Sequence, residues 1–199
     1  MSIEARLNDL FARWKVVQLE HEKALNMIDP KYFFLDGLVG DEAAWGSAPV
    51  RVLYVLKESN ISEPPKDFDF WFKRIALDDT IDDRTYAIKK FIRLMQTELA
   101  GNGDLSAVAY MNLNKSGGGS KTIFRRLRTY ATHPAVAPMI REQIEILAPC
   151  VIVCCGCYGL VSGILGKDSP YHLVNMWHPS ARKSDETYMT RFKKQIGRQ

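Results

Sequence analysis

The chain has 199 residues, 46% of them hydrophobic and 25% charged, with a formal net charge of +4 and a pI near 8.8. That length suits one α/β domain with a full core, and no run approaches the ~18 apolar residues of a membrane helix. The N-terminus, MSIEARLNDLFARWKVVQLEHEKAL, is charged and amphipathic and lacks the apolar stretch of a secretory signal, so a cytoplasmic protein is expected.

Residues 1–28 read as a helix and 29–49 as an aromatic-rich loop, together an N-terminal extension of a core spanning 50–199 in a single domain. VRVLYVL is a short apolar, β-branched run and reads as a buried strand. The segment SNISEPPKDFDFWF reads as a loop, because Pro64 and Pro65 exclude regular structure. Ile88, Phe91, Ile92, Met95 and Leu99 recur at helical spacing and predict a helix over about 85–100. VAYMNLN follows as a second strand, then TIFRRLRTYA and APMIREQIEILAP as helices. VIVCCG is a third strand, YGLVSGIL a short helix, YHLVNMW a fourth strand and DETYMTRFKKQIG a closing helix. Strands alternating with helices predict an α/β domain with a central, mainly parallel four-stranded sheet, flanked by helices on both faces. In such sheets ligands bind at the carboxyl ends of the strands. Here those ends carry KESN, NLNKSGGGS, GCYG and HPSARKS.

Charge is unevenly distributed. Lys121, Arg125, Arg126 and Arg128 crowd one segment and Arg182, Lys183, Arg191, Lys193 and Lys194 crowd the C-terminus, while acid gathers in FDFWFKRIALDDTIDDRTY. Clustered base is the footprint of a nucleic-acid binder, and it also suits a solvated helix face. Cys150, Cys154, Cys155 and Cys157 fall in or beside a β-like run whose neighbouring side chains alternate between faces. Buried core thiols are expected, with no metal site and no disulfide.

Three motifs carry chemistry. The glycine run SGGGSKT resembles a Walker A loop, but its lysine follows Ser120 rather than glycine and no strand-end Asp of the metal-binding kind accompanies it. Nucleotide hydrolysis is therefore the lesser reading, beside phosphate binding on exposed amides at a helix N-terminus and a plain turn. Glu58 follows the first strand, where it can activate water or simply cap a segment. His178, fixed by Pro179, follows the fourth strand, where it can donate to developing negative charge or be structural.

Taken in order, NLNKSGGG, EILAPCVIVCCG and WHPSA resemble the uracil-DNA glycosylase superfamily, especially its thermophile-type branch, over roughly residues 50–195. The resemblance implies a cofactor-independent DNA glycosylase. Glu58 stands at the position of the water-orienting Asp, Asn112 at that of the base-reading asparagine, and His178 at that of the histidine facing the departing base. Ser180 to Arg182 match the loop that enters the minor groove. Phosphate contacts are expected from Lys115, Ser116, Gly117, Gly118, Ser120, Lys121 and Arg182. Asn60 and Asn114 are alternative base readers, and Phe68, Phe70 and Trp71 are candidate stacking platforms.

The sequence also departs from the family. Leu56 stands where glycine is usual, Ser59 where proline is usual, and the cysteines do not match the branch's iron–sulfur ligands, so no cluster is expected. The small residues beside Asn112 leave room for a base larger than uracil. The favoured substrate is a modified cytosine of the kind phages carry, which makes the protein an antiviral defence enzyme. Uracil repair and a catalytically inactive DNA-binding module are the alternatives. No lysine is clearly placed for a Schiff base, although Lys57 adjoins the key carboxylate. A monofunctional enzyme with DNA as partner is expected.

Overall fold

The computed structural model describes residues 1–60, 69–83, 86–119 and 121–197. In chain order these form helices α1 (Ile3–Glu20) and α2 (Glu22–Leu25), strand β1 (Gly37–Leu38), helix α3 (Glu42–Ser47) and strand β2 (Val52–Asn60). Helices α4 (Trp71–Leu77) and α5 (Ala87–Ala100), strand β3 (Val108–Gly118), and helices α6 (Phe124–Ala131) and α7 (Ala137–Leu147) follow. The chain continues through β4 (Val151–Cys155), α8 (Tyr158–Leu165), β5 (His172–Met176) and α9 (Asp185–Ile196).

The fold is α/β, with one five-stranded mixed sheet in the order β1-β3-β2-β4-β5. Four strands are parallel, and β1 lies antiparallel on the outer edge of β3, pairing Gly37 with Tyr110 and Leu38 with Ala109. This corrects the expected four-stranded sheet. A two-residue strand has no periodicity to detect; its pairing with β3 comes from a segment some 70 residues away in sequence.

Period-two alternation sends the sheet's side chains into two cores. Leu53, Val55, Ala109, Met111, Ile152 and Cys154 face one cluster, completed by apolar residues of α1, α6, α7 and α8. Val52, Tyr54, Leu56, Tyr110, Val153 and Cys155 face the other, covered by α4, α5 and α9. The N-terminal extension is thus part of the first core: Leu10 and Trp14 of α1 are fully buried, and Trp45 of α3 donates from its indole to the Leu147 carbonyl at 3.1 Å. Asp41 caps α3 by accepting from the Ala44 amide at 2.8 Å, a local signal. Cys154, Cys155 and Cys157 are buried as expected, whereas Cys150 is exposed; all four are free thiols.

Two strands run further than their apolar stretches. β2 continues through Lys57, Glu58 and Ser59 to Asn60, and β3 continues through Lys115 and Ser116 to Gly118. They stay paired in parallel, Glu58 opposite Asn114 and Asn60 opposite Gly118, with a register shift between. The segments expected to be loops are therefore the paired ends of two central strands. No helix among the described residues is long and apolar enough to cross a membrane.

Candidate active site

The carboxyl ends of β2 and β3 open on a cleft of about 860 Å³, lined among the described residues by Glu58, Ser59, Trp71, Lys121, His178 and Ser180 together with neighbouring side chains. β2 is followed by a crossover to β3 on one side, and β4 lies on its other side, so the cleft stands where the strand order reverses. Open α/β sheets bind ligands at such a point.

Glu58 is the centre of the arrangement. Its Oε2 accepts from Asn114 Nδ2 at 3.1 Å, and the Thr122 hydroxyl also bonds the carboxylate. The Asn114 amide has one orientation available. Its Oδ1 accepts from both the Ser116 amide at 3.0 Å and the Ser116 hydroxyl at 2.8 Å, which turns Nδ2 toward Glu58 and the Gly117 carbonyl. Burial raises the Glu58 pKa above the ordinary carboxylate value, opposed first by Asn114, then by Thr122 and by the charges of Lys57 and Arg126. Such a carboxylate is a better proton acceptor than a solvated one and is still held by donors in its charged form.

The glycine run has a definite purpose here. A Cβ built on Gly118 would fall inside the Glu58 carboxyl group, so only glycine leaves room for that side chain. Gly117 has φ 79°, a left-handed conformation that favours glycine. These residues form the buried end of a strand instead of a ring of open amides.

His178 follows β5 on the cleft wall. The Ser180 amide donates to Nδ1 at 3.2 Å, and the Ser180 hydroxyl lies 2.6 Å from the same atom. A backbone N–H can only donate, so Nδ1 is the unprotonated acceptor and the neutral ring carries its proton on Nε2. Burial, with the charge of Lys57 second, pushes the His178 pKa down to about 4. The imidazole is therefore neutral near pH 7, with one N–H to offer. Gly156, at φ 78°, ends β4 beside it, and even a Cβ there would sit 3.5 Å from the His178 amide nitrogen.

The other expected residues divide. Asn60, Lys121, Ser180 and Trp71 line the cleft. Arg182 is exposed on the loop after Ser180. Phe68 and Ser120 lie outside the described residues. Phe70 turns away, lining a separate cavity of about 240 Å³ with Leu7 and Phe11. Asn112 is 1% exposed and donates through Nδ2 to Ser59 Oγ at 3.2 Å; Ser59, not Asn112, lines the cleft. Asn114 is the asparagine beside the carboxylate.

Lys115 and Ser116 are fully buried, which corrects their expected role on a phosphate backbone. In a strand, residues three apart point to opposite faces, so Lys115 points away from Asn112 and into the first core. Its Nζ meets both oxygens of Asp36, at 2.6 and 2.7 Å, and lies 5.2 Å from the centre of the Trp14 ring. Asp36 also accepts from Gln143 Nε2 and the Asn112 amide, each at 2.7 Å. The pair fastens the 34–38 segment across β3, where the Phe34 amide donates to the Lys115 carbonyl at 2.8 Å. Gly117 and Gly118 are buried in the same strand, with the Glu58 carboxyl against Gly118.

Sequence reasoning missed Asn114 as the partner of Glu58, and it missed Thr122, Arg74 and Tyr86, which also face the cleft. An acid and an amide at the ends of two apolar strands were the available signal, and reading it required the strand register. Cys154 and Cys157 meet in the first core, where the Cys157 thiol also donates to the Val55 carbonyl at 3.3 Å, whereas Cys155 faces the second core. Among the described residues no group of three or more His, Cys, Asp or Glu side chains gathers to hold a metal. No protein-family model and no curated protein matches the sequence.

Proposed function

We propose that the protein is a monofunctional DNA glycosylase of the uracil-DNA glycosylase superfamily, hydrolysing the N-glycosidic bond of a base drawn out of the helix. The observation that carries this reading is the pairing, in one cleft, of a half-buried carboxylate held by Asn114 with a neutral histidine whose Nδ1 is already engaged. Cleavage of a base from deoxyribose builds positive charge on the sugar and negative charge on the departing base. Glu58 answers the first by facing the sugar and taking a proton from the attacking water. The Nε2–H of His178 answers the second, and loss of one such donor costs ~10²–10³ in rate in other enzymes. A neutral donor suits this role because its hydrogen bond strengthens as negative charge grows on the base, with no proton leaving the imidazole.

Lys57, Arg74 and Lys121 give the cleft a cationic lining suited to phosphates, and Trp71 and Tyr86 offer faces for a base outside the stack. The volume, about 860 Å³, lies in the range of pockets for drug-sized ligands and is more than a bare pyrimidine fills. That room favours a modified cytosine carrying a hydroxymethyl or sugar substituent, as in phage DNA, and hence a role in antiviral defence. Phosphate-loop chemistry loses support, because Gly117 and Gly118 form a buried strand end, with Glu58 closing the space over Gly118.

Abasic-site formation on DNAs containing uracil, hypoxanthine, hydroxymethylcytosine or glucosylated hydroxymethylcytosine tests the proposal, with Glu58→Gln and His178→Ala as controls. Release of one base, lost in both variants, is the expected result. DNA binding without release from any substrate overturns the catalytic reading and leaves a binding module.

A further inference from the structure

Among the described residues Lys57, Arg74 and Lys121 are the Lys and Arg side chains that line the cleft, and they stand at different depths. Arg74 and Lys121 are exposed, as suits contact with phosphates. Lys57 is half-buried beside Glu58, near the end of β2. Neighbouring strand residues point to opposite sides, and Lys57 accordingly runs toward the turn that ends β4. Its Cδ lies 3.8 Å from the place of a Cβ built on Gly156, and the His178 Cβ lies 3.6 Å from the same point. The lysine and the histidine therefore flank one turn, and Gly156 leaves room between them.

Among the described residues the Lys57 ammonium has no carboxylate ion pair and no hydrogen-bond acceptor. Its charge still reaches both cleft groups: after burial it is the second influence holding the His178 pKa down, and it opposes the burial that raises that of Glu58. A partly desolvated ammonium calls for an acceptor, and a base in the cleft brings one. The chemistry of departure asks for the same group. His178 is neutral, and a neutral imidazole is a very weak acid, so it stabilises negative charge on the base without discharging it. Cytosine-type bases are less acidic at the glycosidic nitrogen than uracil and leave less readily. They gain most from receiving a proton as the bond breaks.

We propose that Lys57 is the general acid of the reaction, giving its proton to the departing base while Glu58 takes one from the attacking water. The electron pair of the broken C1′–N bond stays with the base, the water oxygen bonds C1′, and solvent returns both side chains to their starting forms. His178 holds the base edge through its Nε2–H throughout. This assignment rests on the glycosylase reading and supplies its leaving-group step.

The test compares the wild type with Lys57→Met, which keeps the length of the chain, and with Lys57→Gln, both checked for unchanged melting. Single-turnover base release is measured at saturating protein on the DNA that the wild type processes, together with DNA affinity across a range of salt. The variants are expected to lose ~10²-fold or more in saturating rate, with affinity and its salt dependence little changed. A phosphate contact gives the reverse pattern: affinity falls, the salt slope drops by about one, and the saturating rate holds. That pattern overturns the acid role, as does a rate that neither variant alters. Where uracil or cytosine is among the released bases, its 5-fluoro derivative is a better leaving group and should shrink the gap between wild type and variant; an equal gap for both bases overturns the proposal. If the wild type releases no base from any DNA, the glycosylase reading fails and takes this assignment with it. Release by the wild type at a rate that Lys57→Met matches refutes the assignment alone.

Discussion

Gly118→Ala tests the central geometry without requiring any activity. Gly118 is not among the glycines with positive φ, so its backbone accepts alanine, and the three nearest atoms a Cβ would meet all belong to the Glu58 side chain. Pushing an atom into a filled site costs about 1–3 kcal/mol. Displacing the Glu58 carboxylate from Asn114 forfeits a further ~1 kcal/mol of hydrogen bonding. In a Glu58→Ala background the obstacle is gone, and Gly→Ala at a compatible backbone position then stabilises by about 0.4–1 kcal/mol through the unfolded chain. The same substitution should thus change sign between backgrounds, a coupling of roughly 2.5–5 kcal/mol in a double-mutant cycle. For a chain of this size each kcal/mol moves the melting temperature by about 2–4 °C. Thermal or urea melts of the four proteins supply the measurement. Equal destabilisation in both backgrounds would refute the argument, because the glycine would then serve the backbone and not the carboxylate.

Three further outcomes are expected. His178 should titrate near pH 4 by NMR, with Nδ1 unprotonated at neutral pH. The sign for stability follows: the unfolded histidine protonates near pH 6.5, so its contribution is intact above that value and lost as pH falls toward 4, up to ~3 kcal/mol. His178→Asn should flatten that part of the stability profile, and an unchanged acid slope would count against the burial of the ring. Asn114→Ala removes the largest influence holding the Glu58 pKa down, so the acid limb of the base-release profile should move to higher pH; a uniformly lower rate with an unmoved limb would show that Asn114 acts otherwise. Lys115→Met strands Asp36 in the core and should cost about 3–5 kcal/mol by denaturant unfolding, with Asp36→Leu restoring much of it in the double variant. A cost below ~1 kcal/mol would mean that the buried pair carries little charge.

Elements with strong periodicity were readable in the chain. Phe91, Ile92 and Met95 line the buried face of α5 as their spacing requires, and the VIVCC run became β4 with Cys154 and Cys155 on opposite faces. Elements defined by distant partners were not. β1 exists because the 34–39 segment pairs with β3 through the Phe34 and Val39 amides, and nothing within the segment announces it. α4 opens at Phe70, whose φ of 53° is an unusual entry to a helix, and its position depends on the Phe70 amide donating to the Leu35 carbonyl at 2.9 Å. The identity of Glu58 and His178 as cleft residues could be read from their places at strand ends. Their partners could not, because Asn114 reaches Glu58 only through strand register and Ser180 reaches His178 only through the turn at Pro179.

The glycine run shows why local chemistry alone misleads. Glycines beside a lysine create space and electropositive surroundings, and both features suit an anion. A phosphate loop offers them to a ligand. In this chain the anions are the protein's own: the Glu58 carboxyl occupies the space over Gly118, and the Asp36 carboxylate takes the charge of Lys115 on the opposite face of the strand. What separates the two cases is the neighbouring strand, which here carries an acidic side chain that reaches over the run and fills the space. Glu58 stands opposite Asn114, four residues before Gly118, and the register shift after it brings Asn60 opposite Gly118 itself. A glycine run that continues a buried strand should therefore be read together with its paired strand before a phosphate is assigned to it. In this protein that pairing transfers the function of the run from holding substrate to seating the carboxylate that acts on it.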